Sequence, residues 1–118
     1  MPYSSSLPER TFEFAKAVAS FCKHLPRDLA NREYSLQVIR SSASIGANYL
    51  EANDPLSQKD FLFRIRICRK EAKETAYFLS LLASVNAGHI ASEAERLVRE
   101  AIELKKIFSA ILLKMTLQ

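Results

Sequence analysis

A chain of 118 residues carrying 48% apolar and 25% charged side chains is long enough to bury a core, and its composition excludes disorder. Two glycines and four prolines are too few for a many-turned β architecture and favour long helices. A formal net charge of +4 leans toward an anionic partner, and no apolar run approaches the ~20 residues that span a bilayer.

Pro8, Pro26, Pro55 and Gly88 divide the chain into four segments of helical periodicity, predicted at about 8–25, 31–52, 57–87 and 92–116. In the first, Phe14, Val18, Phe21, Cys22 and Leu25 share one face, opposite Glu13, Lys16, Ser20 and Lys23. His24 falls beside the polar side and reads as a solvated histidine. Cys22 and Cys68 sit singly among apolar neighbours and read as small core residues of a reducing cytoplasm, not as a disulfide or metal pair. Met1 to Ser6 has neither the basic start nor the apolar stretch of a signal peptide, so a cytoplasmic location is expected.

The second segment has two apolar stripes. Leu36, Ile39, Ala43, Gly46 and Leu50 make one; Val38, Ile45, Tyr49 and Ala52 make another about half a turn away. A single bundle offers one core, so the second face calls for another chain. Val38, Ile45 and Tyr49 are the predicted oligomer interface. Between the stripes runs a polar line that includes Arg40, Ser44, Asn48 and Glu51. Partly buried polar groups need partners, and Glu71 and Glu74 of the third segment are expected to accept from Arg40 in a structural network. The small residues Ser42, Ala43, Gly46 and Ala47 permit close backbone approach.

The third segment starts at Ser57 with Asp60 as a partial capping box, turns Phe61, Ile65, Cys68, Ala72, Leu79 and Leu82 inward, and stops at Gly88. The fourth is entered through Ser92 with Glu95 at the capping distance. Ala94, Leu97, Ala101, Leu104, Phe108, Ile111 and Met115 then step by three and four along one seam. Short connections join antiparallel neighbours. The expected fold is all-α, an antiparallel up-and-down four-helix bundle forming a single domain over residues 1–118.

Catalytic constellations are missing from the pattern. Di-metal carboxylate bundles use Glu-x-x-His pairs, and neither His24 nor His89 follows a glutamate at that spacing. No serine has a plausible partner histidine and no Gly-rich phosphate loop exists, so no catalytic residue, metal or cofactor is assigned and the chain is not expected to be an enzyme. What remains is charge. Lys59, Arg66, Arg69, Lys70 and Lys73 fall within ~100° of arc on the third helix with no acidic residue in that stripe. Such a stripe is either a solvated face or a contact for RNA or DNA. Tyr77 is the one aromatic assigned to it, which disfavours base-specific reading of single strands.

The stretch Arg40-Ser-Ser-Ala-Ser-Ile-Gly-Ala-Asn-Tyr-Leu-Glu-Ala52 resembles the signature of the bacterial S23, or ribosomal RNA intervening-sequence, protein family: Arg40, Ser44, Ile45, Asn48 and Glu51 stand at its spacing. Ser57 to Phe61 and Lys70 to Thr75 resemble the family's third helix. The family is similar to the accessory protein of diversity-generating retroelements, a basic pentamer that binds nucleic acid and a reverse transcriptase. The resemblance implies a four-helix bundle and a homopentamer of side-by-side bundles. Many relatives follow the glutamate with a basic Gly/Arg-rich turn, whereas this chain reads Glu51-Ala-Asn-Asp-Pro55, so a nucleic-acid role for that turn is not carried over. Two readings are left: an oligomeric RNA- or DNA-binding module, and a structural adaptor whose assembled ring scaffolds a protein partner.

Overall fold

Three of the four helices begin at a side-chain cap. Ser6 caps α1 (Leu7–Lys23) by accepting from the Glu9 amide, Asp28 caps α2 (Leu29–Ala52) through the Asn31 amide at 2.9 Å, and Ser57 caps α3 (Gln58–Ser84) through the Asp60 amide at 3.0 Å. The fourth, α4 (Gly88–Thr116), starts at Ala87 without a side-chain cap. The computed structural model describes residues 6–117 of the chain.

The α3–α4 junction departs from the sequence expectation. The third helix ends at Ser84, not at 87, and Gly88 opens the next helix rather than stopping the previous one, so Ser92 lies inside α4. Asn86 explains the early stop: its Nδ2 donates to the Leu82 carbonyl at 2.8 Å and to Asn31 Oδ1 at 2.7 Å. Gly88 then supplies the positive φ of 58° with which the chain reverses, a conformation costly for any residue with a Cβ.

Cross-helix contacts fix the topology. Ser41 Oγ meets Thr75 Oγ1 at 2.8 Å, the Cys68 thiol donates to the Ile45 carbonyl, and Arg64 Nη1 donates to Asn48 Oδ1 at 3.1 Å. Numbers rise along α2 as they fall along α3, so the two are antiparallel. Each helix packs on its sequence neighbours, and α1 meets α4 much more lightly, through a bidentate Arg10–Glu100 pair with both bonds at 2.8 Å. The result is the expected all-α, up-and-down four-helix bundle, 47 × 30 × 21 Å.

The core draws Phe14 and Val18 from α1, Val38 and Ile45 from α2, Ile65, Leu79 and Leu82 from α3, and Leu97, Leu104 and Phe108 from α4. Each such side chain contributes roughly 1.5–3 kcal/mol by leaving water. Cys68 is buried and Cys22 half-buried, both as free thiols; burial pushes the Cys68 thiol up to about 12, which keeps it protonated and unreactive.

The stripes of α2 have exchanged roles. Val38 and Ile45 are fully buried within the bundle, and Tyr49 is half-buried with its ring 6.0 Å from that of Phe108. They are core residues, so the interface assigned to them is corrected. Leu36, at 61% exposure, and Leu50, at 59%, lie on the outward side with Ile39. Gly46, in the same stripe, faces α1 instead of solvent, and the close approach there calls for a glycine: a Cβ at this position would stand 2.9 Å from Thr11 Oγ1. Thr11 is itself locked, donating to the Leu7 carbonyl at 2.8 Å, so α1 and α2 meet backbone to side chain at this point. Beside it an apolar groove opens between the two helices, walled by Phe12, Ala15, Ile39, Ala43 and Leu50.

Candidate nucleic-acid interface

Helix α3 packs on α2 along one side and on α4 along another, which leaves its outer face free. Lys59, Arg66, Arg69, Lys70 and Lys73 are all exposed there. Four of them, without Lys59, line a groove of about 410 Å³ between α3 and α4, and the opposite wall supplies Lys105 and Ser109. Lys59 sits apart in the first turn of α3, where the positive end of the helix dipole disfavours a cation. Among the described residues, Lys59, Arg66, Arg69, Lys73 and Lys105 form no ion pair within 4 Å, and Lys70 reaches only Glu71, at 3.9 Å. Five cations around one groove raise each other's energy until an anion enters. Lys105 is the residue that sequence reasoning missed: three positions before the core residue Phe108, it reads as a flank of α4 until the packing of α4 on α3 turns it into the groove.

The polar seam between α2 and α3 is wired differently from expectation. Arg40 is exposed and donates to Gln37 at 3.2 Å; neither Glu71 nor Glu74 accepts from it. Glu51 is exposed and takes no part in a side-chain hydrogen bond. Asn48 donates to the Ser44 carbonyl and hydroxyl at 2.9 and 3.0 Å and accepts from Arg64, whose Nε lies 3.9 Å from Asp60. The expected network is therefore reduced to Ser44–Asn48, and its missing partners are Arg64 and Asp60. The inner pair Ser41–Thr75, with Thr75 also donating to the Glu71 carbonyl, ties the helices in register.

Glu71 stands out in this seam. It is 6% exposed and its Oε1 has no hydrogen-bond partner. Burial raises its pKa, the neighbouring Glu74 raises it further, and Lys70 and Arg40 oppose the shift. A carboxyl whose folded pKa lies above its unfolded one costs nothing in acid, and costs progressively more as pH rises through the folded value. Glu71→Gln should therefore stabilise the fold at neutral pH by on the order of 1 kcal/mol, with the gain vanishing toward about pH 4. Urea midpoints at the two pH values measure this; a pH-independent difference, or a weaker variant, would show a charged and well-paired Glu71.

A family model for the 23S rRNA-intervening sequence protein matches residues 6–110, nearly the whole of the described chain. The chain belongs to this family. A crystal structure of a protein of unknown function from the S23 ribosomal protein family of Bacteroides thetaiotaomicron is similar over 91% of this chain and 98% of its own, at 29% identity and a TM-score of 0.78. No curated protein matches.

In this intervening-sequence protein the five signature positions have separable physical roles. Ile45 fills the core, Ser44 and Asn48 join α2 to the polar seam, and Arg40 and Glu51 lie on the surface. The turn after Glu51 is short, exposed and acidic at Asp54, so the cations of α3 and α4 are the basic surface at hand. Elsewhere the fold brings His24 and His89 to one cleft with Glu93 and Arg96, where the end of α1 meets the start of α4. Among the described residues no three metal-ligating side chains converge, and no helix is long and apolar enough to cross a membrane.

Proposed function

We propose that this intervening-sequence protein is a non-enzymatic, self-associating bundle that binds RNA or DNA through the basic face of α3. The carrying observation is the groove lined by the exposed Arg66, Arg69, Lys70 and Lys73 and the half-buried Lys105, cations left largely without acidic partners. A groove with this charge accepts a phosphodiester backbone, and counterion release supplies most of the binding free energy. Self-association rests on a separate observation, the apolar groove between α1 and α2 with Phe12, Ile39 and Leu50 exposed along it. The likeness to the pentameric accessory protein of diversity-generating retroelements supports a ring of five copies, which would multiply the phosphate contacts. That same apolar surface supports the second reading, an adaptor whose assembly carries a protein partner.

The deciding experiment is fluorescence anisotropy with labelled RNA and DNA over a salt series. Affinity should fall steeply, with a log–log slope of roughly three to five if each bundle neutralises that many phosphates. Arg66→Glu, Arg69→Glu and Lys73→Glu combined should weaken binding about a hundredfold while the far-ultraviolet circular dichroism is unchanged. Binding that ignores salt and survives the triple reversal would leave the adaptor reading in its place.

A further inference from the structure

Two large aromatic side chains stand on the same outer face of α3 as the cations, and neither is used by the core. Phe63 is 55% exposed and Tyr77 62%. Exposed apolar residues scattered singly over a surface are ordinary. These two are not scattered. Lys59, Phe63, Arg66, Lys70, Lys73 and Tyr77 succeed one another by four, three, four, three and four residues, so at ~100° per residue all six fall within about 80° of arc. The aromatics bracket the three central cations from either end, ~21 Å apart along the axis. Both rings are braced from one side. The Arg64 guanidinium carbon lies 5.9 Å from the Phe63 centroid, and Phe78 meets Tyr77 edge-on with centroids 5.6 Å apart.

We propose that this face is a platform for single-stranded nucleic acid, on which unpaired bases stack on Phe63 and Tyr77 while Arg66, Lys70 and Lys73 hold the phosphates between them. The inference rests on the nucleic-acid reading above and narrows its ligand. Stacking needs a base whose π-face is free, which a duplex interior withholds and a single strand offers at every nucleotide. Cations alone bind a duplex as readily as a strand; exposed aromatics in register with them favour the strand. Because stacking contacts neither the Watson–Crick edge nor the 2′-hydroxyl, the platform takes single-stranded RNA and DNA alike, with little sequence preference.

The test measures anisotropy for a short single-stranded RNA, the same sequence as single-stranded DNA, and its duplex, at one salt concentration. Proteins are the parent chain, the Phe63→Ala/Tyr77→Ala double variant and the triple charge reversal, each with its native mass checked by light scattering. The aromatic variant should bind both single strands at least about fivefold more weakly and the duplex within about twofold of the parent. The charge reversal should weaken all three. If the aromatic variant changes single-strand and duplex binding equally, or neither, the platform is wrong while phosphate binding stands. If the charge reversal is also without effect, the nucleic-acid reading itself falls. A lower native mass for the aromatic variant would place Phe63 and Tyr77 in a contact between copies and overturn the platform.

Discussion

Ile45→Asp is expected to abolish cooperative folding, at a cost of more than about 4 kcal/mol. Ile45 is fully buried, its carbonyl already takes the Cys68 thiol, and the side chains around it are apolar. A carboxylate there has neither water nor a cation, and even its protonated form leaves a hydroxyl without an acceptor. Leu50→Asp, one turn and a little further along the same helix, makes the control. Leu50 is mostly exposed on the outward stripe, so this change should leave the melting transition cooperative and act on assembly instead. Thermal circular dichroism and light scattering on both variants separate the cases. A folded Ile45→Asp protein of reduced native mass would return that residue to an interface and overturn its burial in the bundle.

That pair also shows where sequence reading stops. The stripe on α4, from Ala94 through Phe108, was legible because its alternatives are charged: Glu95, Arg99, Glu103 and Lys106 leave a single apolar face. On α2 the stripes through Leu36 and Val38 are comparably apolar, and periodicity gives the angle between two faces without saying which one turns inward. Packing settles it. The inward stripe carries the short polar residues Ser41 and Ser42 beside Val38 and Ile45, and Ser41 finds Thr75 across the helix pair. The polar line was visible, but its partners depend on rotation of α3, which brings Arg64 to Asn48 and leaves Arg40 outside.

The basic face was more legible than its surroundings, since five cations on one helix need only the helical repeat to align. Lys105 required the relative placement of two helices. Phe63 was concealed by its neighbours, because the run Phe61-Leu-Phe63 reads as core. Phe61 and Leu62 do pack partly against the core, whereas Phe63 points out, in register with Arg66 and Lys70. The Gly88 error has a similar origin: a glycine with positive φ serves equally well behind one helix or in front of the next, and only the Asn86 contacts reveal which.

Phe108→Ala should produce the largest loss among core truncations, about 3–5 kcal/mol, lowering Tm by roughly 10–20 °C for a chain of this size. Phe108 is the largest of the fully buried side chains and its ring meets Tyr49 of α2. Removing the ring leaves a cavity that the surrounding helices cannot fully close, because α4 is held to α3 along its length. Phe108→Leu should cost much less, since it keeps most of the volume. Equilibrium unfolding in urea at fixed protein concentration measures both, and a loss below about 1 kcal/mol for the alanine variant would contradict the packing of α4 described above. The variant separates stability from binding as well. Lys105 lies on the preceding turn of α4 and lines the basic groove from its own helix, so below the lowered Tm the phosphate affinity of Phe108→Ala should match the parent's. A parallel loss of affinity in the folded variant would mean that the groove's shape, set by the core beneath it, matters to the ligand as much as its charge.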